Sequence, residues 1–134
     1  MATEFEISVN GSTKNLLDAI GVLSSRTINL ETVATAKVGD RYVIRFLTGN
    51  DDECRSAFLK ADLPFSERKV LVLEVQNKPG EWLRAAQRLV EGGVELEGSY
   101  LLGQSADRLR FVFGVSDYPK AKEIAGRIDE CASG

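Results

Sequence analysis

Val70-Leu71-Val72-Leu73-Glu74-Val75-Gln76-Asn77-Lys78-Pro79-Gly80-Glu81-Trp82-Leu83 is the stretch that decides the fold. Its first half is a short apolar run, the pattern of a buried strand, here over about 68–76. Asn77-Lys78-Pro79-Gly80 then reads as a turn, because proline presets φ and glycine tolerates conformations other residues avoid. A helix follows over about 80–92, and Gly92-Gly93 stops it. Val70 and Val72 make the strand apolar on both faces, which predicts cover on both sides, with a partner chain as one source of it.

Working outward, the chain repeats itself. Slid by about 66–67 residues, Phe5-Glu6-Ile7-Ser8-Val9 falls on Leu71-Val72-Leu73-Glu74-Val75. Asn10 falls on Asn77, Leu16 on Leu83 and Val22 on Leu89. Ile28-Asn29-Leu30-Glu31 falls on Val94-Glu95-Leu96-Glu97, and Arg41 and Phe46 on Arg108 and Phe113. The matches keep their order along both halves, the mark of an internal repeat.

In the first half, residues 3–9 alternate, with Phe5, Ile7 and Val9 on one face of a strand. Leu16, Leu17, Ile20 and Leu23 recur at helical spacing over 13–25. Strand character returns over 27–36, and Gly39-Asp40 marks a hairpin into Arg41–Leu47. Asn50 or Asp51 caps a helix over about 51–61, with Pro64 beyond its end. The second half continues with strands at about 94–102 and 108–115. Its last helix spans about 118–130, with Asp117 as cap and Pro119 in the first turn.

The order is β-α-β-β-α, twice. This predicts an α+β fold of ferredoxin-like βαββαβ units in tandem, with antiparallel sheets joined side by side and helices on one face. The expected repeats are 1–68 and 69–134. Phe65–Lys69 offers the first a fourth strand; after the last helix come only Ala132-Ser133-Gly134, so the second is expected to have its strand shared, exchanged or supplied by a second chain. An open edge invites pairing, which predicts assembly through it.

Composition narrows the function. The 134 residues are 43% hydrophobic and 28% charged, ordinary for a globular chain. A chain this long buries roughly 68% of its unfolded surface, and two units of about 65 residues would each be marginal alone. A net charge of −3 argues against nucleic acid as a partner, since phosphate binding needs a clustered basic surface. No apolar run is long enough to span a membrane, and Met1–Glu6 does not read as a signal peptide, so the expected location is the cytoplasm. There is no histidine, hence no ordinary neutral-pH base. Cys54 and Cys131, expected at near-equivalent helix positions, read as free thiols; neither a metal site nor a cofactor is expected. Nothing in the sequence pairs a nucleophile with a base or cradles a phosphate, so no enzyme is expected.

The stretch Val70–Leu83 resembles the opening of an ACT domain, in which an apolar strand ends in Asp/Asn-x-Pro-Gly before a helix. Leu89-Val90-Glu91-Gly92-Gly93-Val94-Glu95-Leu96-Glu97 is similar to that family's second signature, at the right distance. The resemblance implies a small stand-alone protein of tandem ACT domains. It implies a small amino acid as ligand and an enzyme or regulator that reads the bound state; the doubly apolar strand at Val70 and Val72 adds the expectation of a homodimer. It also implies where the ligand sits: between the strand-to-helix turn of one unit and the second strand of its neighbour.

Residue chemistry agrees with that placement. A helix N-terminus offers unpaired N–H groups and partial positive charge to a carboxylate. Candidate residues in the second repeat are Asn77, Lys78, Pro79, Gly80, Glu81 and Trp82, with Val94, Glu95 and Leu96 to hold the ammonium group. The first repeat supplies Asn10, Gly11, Ser12 and Thr13 at its turn, and Ile28, Asn29 and Leu30 at its strand. Each repeat keeps one signature: Pro79-Gly80 in the second, Asn29 in the first. The expected better site therefore joins Asn77–Gly80 of one repeat to Ile28–Leu30 of the other.

Plainer readings exist. Asn-Lys-Pro-Gly is a common turn, and Trp82 is suited either to cover a ligand or to pack at a joint between units. Arg41, Arg45, Arg108 and Arg110 lie on the polar face of two hairpins; solvated charge and a carboxylate-attracting rim are both open. The alternative function is an interaction or oligomerisation module whose ligand site is vestigial.

Overall fold

The computed structural model describes the chain from Ala2 to Ser133, and side chains as far as Arg127. Two compact units emerge, Thr3–Arg68 and the rest, the latter including Ala2 and residues from Lys69 on.

In the first unit, β1 (Ala2–Asn10) is followed by α1 (Thr13–Ser24), β2 (Leu30–Val38), β3 (Arg41–Thr48) and α2 (Asp51–Lys60). Its strands lie in the order β2-β3-β1, and Ser66–Arg68, which open β4 (Ser66–Gln76), complete it. Both pairings are antiparallel, Phe5 facing Phe46 and Ile7 facing Ile44. The alternation in β1 sends Phe5 and Ile7 into the core, with Ile44 and Phe46 beside them. Leu16, Ala19 and Leu23 of α1 and Cys54, Ala57 and Phe58 of α2 pack on that same face. Phe5 stacks on Phe46 at 5.7 Å, and Phe58 meets Phe46 edge-on at 5.8 Å, a preferred aromatic geometry. The opposite face is polar and paired: Arg45 bonds Glu6 at 2.8 Å, and Arg41 reaches Ser8 and Asn10 at 2.9 and 2.6 Å.

The second unit repeats the plan with β4, α3 (Glu81–Glu91), β5 (Leu96–Gln104), β6 (Arg108–Val115) and α4 (Tyr118–Ser133). The strand order is β4-β6-β5. Leu71, Leu73, Val75 and Phe113 form the sheet side of its core; Ala85, Ala86, Leu89, Ala121 and Ala125 form the helix side. Each unit thus has the ferredoxin-like arrangement, with both helices on one face of an antiparallel sheet.

Hydrogen bonds correct the alignment of the repeats. The amide of Gly11 donates to the Asp40 carbonyl (3.0 Å) as that of Asn77 does to Asp107 (2.9 Å), so Gly11, not Asn10, is the counterpart of Asn77. Ile28 N–H closes on Leu23 O, and Val94 N–H on Leu89 O, both at 3.0 Å. Leu23, not Val22, therefore matches Leu89, and Leu17, not Leu16, matches Leu83. The offset here is 66 residues. It becomes 67 at Arg41/Arg108, because β5 carries a bulge between Leu101 and Gly103 that β2 lacks. Both strands share the earlier bulge, at Leu30/Thr32 and Leu96/Gly98.

The same register moves the cysteines apart. Asn50 caps α2 through Glu53 N–H (3.2 Å), and Asp117 makes the same bond to Lys120 N–H (3.1 Å), which sets Ala121 opposite Cys54. Cys54 is a buried free thiol; the Cys131 side chain lies outside the described residues. Val70 is 1% exposed within the single chain, so its burial does not call for a partner chain.

Candidate functional site

The turn after β4 is built from main-chain bonds. Lys78 N–H folds back to Gln76 O at 2.9 Å, a γ-type turn, while Asn77 is tied to Asp107. Gly80 sits just before α3 with φ +85°, a left-handed conformation that side chains rarely adopt. A Cβ at Gly80 would have no heavy atom within 4 Å, so the space above its main chain is open. Asn77, Lys78, Pro79 and Gly80 are all exposed. The turn thus presents the start of an 11-residue helix to solvent.

In the first unit the same place is made differently. Gly11 is left-handed at φ +88°, and Ser12 precedes α1 without a side-chain cap. Asn15 Nδ2 instead bonds the Asn10 carbonyl at 2.8 Å, and Thr13 and Tyr42 hydroxyls meet at 3.0 Å. Asn10, Gly11, Ser12 and Thr13 are exposed.

The strand entries differ between units. Ile28 and Val94 are buried, Asn29 and Glu95 exposed, Leu30 and Leu96 half-buried. Glu95 is held on both sides by Ser116: its N–H donates to Ser116 Oγ at 2.9 Å, and its carbonyl accepts from Ser116 N at 3.0 Å. The counterpart of Ser116 is Gly49, which has no hydroxyl to offer Asn29. The asymmetry in the strand signatures thus extends to a residue the sequence did not single out. Only the register of the hairpin brings Ser116 there.

Within one unit the turn and the strand entry do not come together. They lie at opposite ends of α3 or α1, helices of 11 and 12 residues and so about 16–18 Å long. Trp82 packs inside its own unit: Nε1 donates to Ser99 Oγ at 3.1 Å, and the indole stacks on Phe113 at 6.0 Å and 19°. It stays 38% exposed, with one face of the indole engaged. Among the described residues no group of His, Cys, Asp or Glu is arranged to hold a metal ion. No described helix is long and apolar enough to cross a membrane.

No protein-family model matches the chain, and no curated protein matches it by sequence. Solved structures do resemble it. Protein BT0572 from Bacteroides thetaiotaomicron superposes with a TM-score of 0.86 at 20% identity, over 96% of this chain and 88% of that one. The ligand-free regulatory subunit of aspartate kinase from Thermus thermophilus gives 0.70 at 13% identity, over 96% and 91%. That from Thermus flavus gives 0.62 at 13% identity, over 94% and 90%. At such identities the likeness is one of fold, a fold shared with those regulatory subunits of aspartate kinase.

Proposed function

We propose that this chain is a non-enzymatic regulatory protein that binds a small amino acid between ACT-type units. The observation that carries this reading is Gly80: a left-handed, exposed glycine with open space above it, immediately before an amphipathic helix. A carboxylate there meets helix N–H groups and the positive end of the dipole. The ligand's ammonium group is expected at the strand entry Ile28–Leu30, where Asn29 is the exposed polar side chain. Because each unit keeps its turn and entry a helix length apart, the two halves of such a site come from different units.

The same reading makes the protein a homodimer. β2 and β5 are each an outer strand of their unit, and Leu17 and Leu83, equivalent residues on α1 and α3, are 62% and 54% exposed. A second copy covering them would bury apolar surface and satisfy edge amides together. A partner enzyme, in the cytoplasm, would read the bound state through differential affinity for two conformations.

One observation favours the second reading, an interaction module with a vestigial site. The main chain of Glu95 is already engaged by Ser116, so the entry at Val94–Leu96 has fewer groups to offer an ammonium. A thermal-shift series over the twenty amino acids separates the two. One at 100 times its Kd stabilises the fold by about 2.7 kcal/mol. No shift with any of them would leave the interaction module standing.

A further inference from the structure

Between α1 and the end of α2, the first unit holds an open cleft of about 450 Å³. That is within the size range of small-molecule pockets. Its apolar walls are Val9, Ala19, Val22 and Leu63. Three polar residues, Asn10, Asn15 and Asp18, join them, and Asp18 is the one charged group among the lining residues. Asn15 spends its amide nitrogen on the Asn10 carbonyl, which leaves Oδ1 as an acceptor. Asp18 makes no hydrogen bond or ion pair among the described residues. Ala61, the residue that ends α2, completes the lining, so the cleft abuts the negative end of that helix dipole. An unpaired carboxylate, a free amide oxygen and a helix C-terminus all favour positive charge.

The second unit is different at the matching places. With the offset of 66 fixed by the Leu23–Ile28 and Leu89–Val94 bonds, Asp18 corresponds to Arg84 and Val22 to Arg88. Two arginines replace a carboxylate and a valine on one helix face, so this cleft chemistry belongs to the first unit.

From this we infer that the cleft binds a small organic cation: a primary ammonium on a short aliphatic body. The head lies at Asp18 and Asn15, and the body on Val9, Val22 and Leu63. This is a separate site from the proposed amino-acid site, with which it shares Asn10 alone.

The test uses three probes with one five-carbon body: pentylammonium, 1-pentanol and pentanoate. Each is titrated into the full-length protein and followed by amide NMR, with no amino acid present. The expected result is that pentylammonium shifts the amides of Ala19, Val22 and Leu63. The alcohol should bind about fivefold more weakly and the carboxylate more weakly still, the scale of an exposed ion pair. Asp18→Asn should remove most of the preference for the ammonium over the alcohol, and Asp18→Arg, which copies the second unit, should abolish ammonium binding. Asp18 is exposed, so both variants should fold. No shift at these amides, equal binding of the three probes, or an Asp18→Asn variant whose preference for the ammonium is undiminished would each overturn the inference. None of these results bears on the Gly80 and Asn29 reading, because neither residue lines the cleft.

Discussion

Arg68 Nε donates to the carboxylate of Glu4 at 3.0 Å, across 64 residues of sequence. Glu4 is 2% exposed and Arg68 keeps a third of its side chain in water. The bond ties the opening of β4 to β1 and so closes the first unit with its fourth strand. A buried carboxylate that loses its cation is costly. Arg68→Met should therefore destabilise the protein by about 2 kcal/mol, reduced from the fully buried case by the exposure of Arg68. Glu4→Gln with Arg68→Met should recover part of that loss. Urea denaturation of both variants measures it, and equal losses would mean that the charge itself is unimportant.

Thr27 and Gly93 hold the same left-handed place after α1 and α3, at φ 59° and 88°. A β-branched residue there costs roughly 1–2 kcal/mol, and glycine does not. Thr27→Gly should raise stability by about 1 kcal/mol, since Thr27 is exposed and loses little packing. Gly93→Ala should lower it by a similar amount; its Cβ would also meet Lys120 Nζ at 2.9 Å, a flexible end that can move aside. Unfolding curves for the two variants should shift in opposite directions.

Burial pushes the Cys54 thiol up from its ordinary 9.0 to about 12, helped by the nearby Asp51 carboxylate. The folded state therefore keeps this proton at pH values where the unfolded chain releases it. The resulting stability is complete below about pH 9 and is lost as pH rises toward about 12. A Cys54→Ala variant, which copies Ala121, should lose less stability than wild type between pH 9 and 10.5. Parallel slopes would refute the assignment. In native protein at pH 8 the thiol should resist alkylation, because the thiolate is the reactive form.

Gly80→Ala separates fold from site. The new methyl has open space, so its cost is that of a left-handed alanine, about 1 kcal/mol. Amino-acid affinity should fall by tenfold or more if the ligand carboxylate rests on that main chain. Calorimetric titration of Gly80→Ala and Asn29→Ala tests it, and unchanged affinity in both would sink the proposed pairing.

Leu83→Asp should weaken self-association without unfolding the monomer, since Leu83 is outside the core. Sedimentation at micromolar concentration should move toward monomer. A wild-type protein that is already monomeric there would remove the dimer from the proposal.

Local pattern carried the elements into view. The alternation Phe5-Ile7-Val9, the glycines at 39 and 80, and the caps at Asn50 and Asp117 all act within a few residues of themselves. Their consequences are therefore written where they stand. The repeat was legible too, but its register was not. Identity matching set Asn10 on Asn77, whereas the ladder bonds to Asp40 and Asp107 set Gly11 there. Those bonds join residues about 30 positions apart, which matching identities along the chain does not see.

The sequence by itself determined that this chain builds two ferredoxin-like units, each with a turn feeding a helix, because hydrophobic period and turn chemistry are local. Only the tertiary structure decided what those parts can reach. It engaged Glu95 with Ser116, placed Trp82 on Phe113 and Ser99, and left Asp18 unpaired beside the end of α2. Each of these depends on residues about 17 to 45 positions apart being brought within a few ångströms, and no local rule encodes that. The strand-to-helix turn that first disclosed the fold keeps its central role in the proposal. Its glycine is left-handed and uncovered, and the strand entry of its own unit, Val94–Leu96, stands a helix length away.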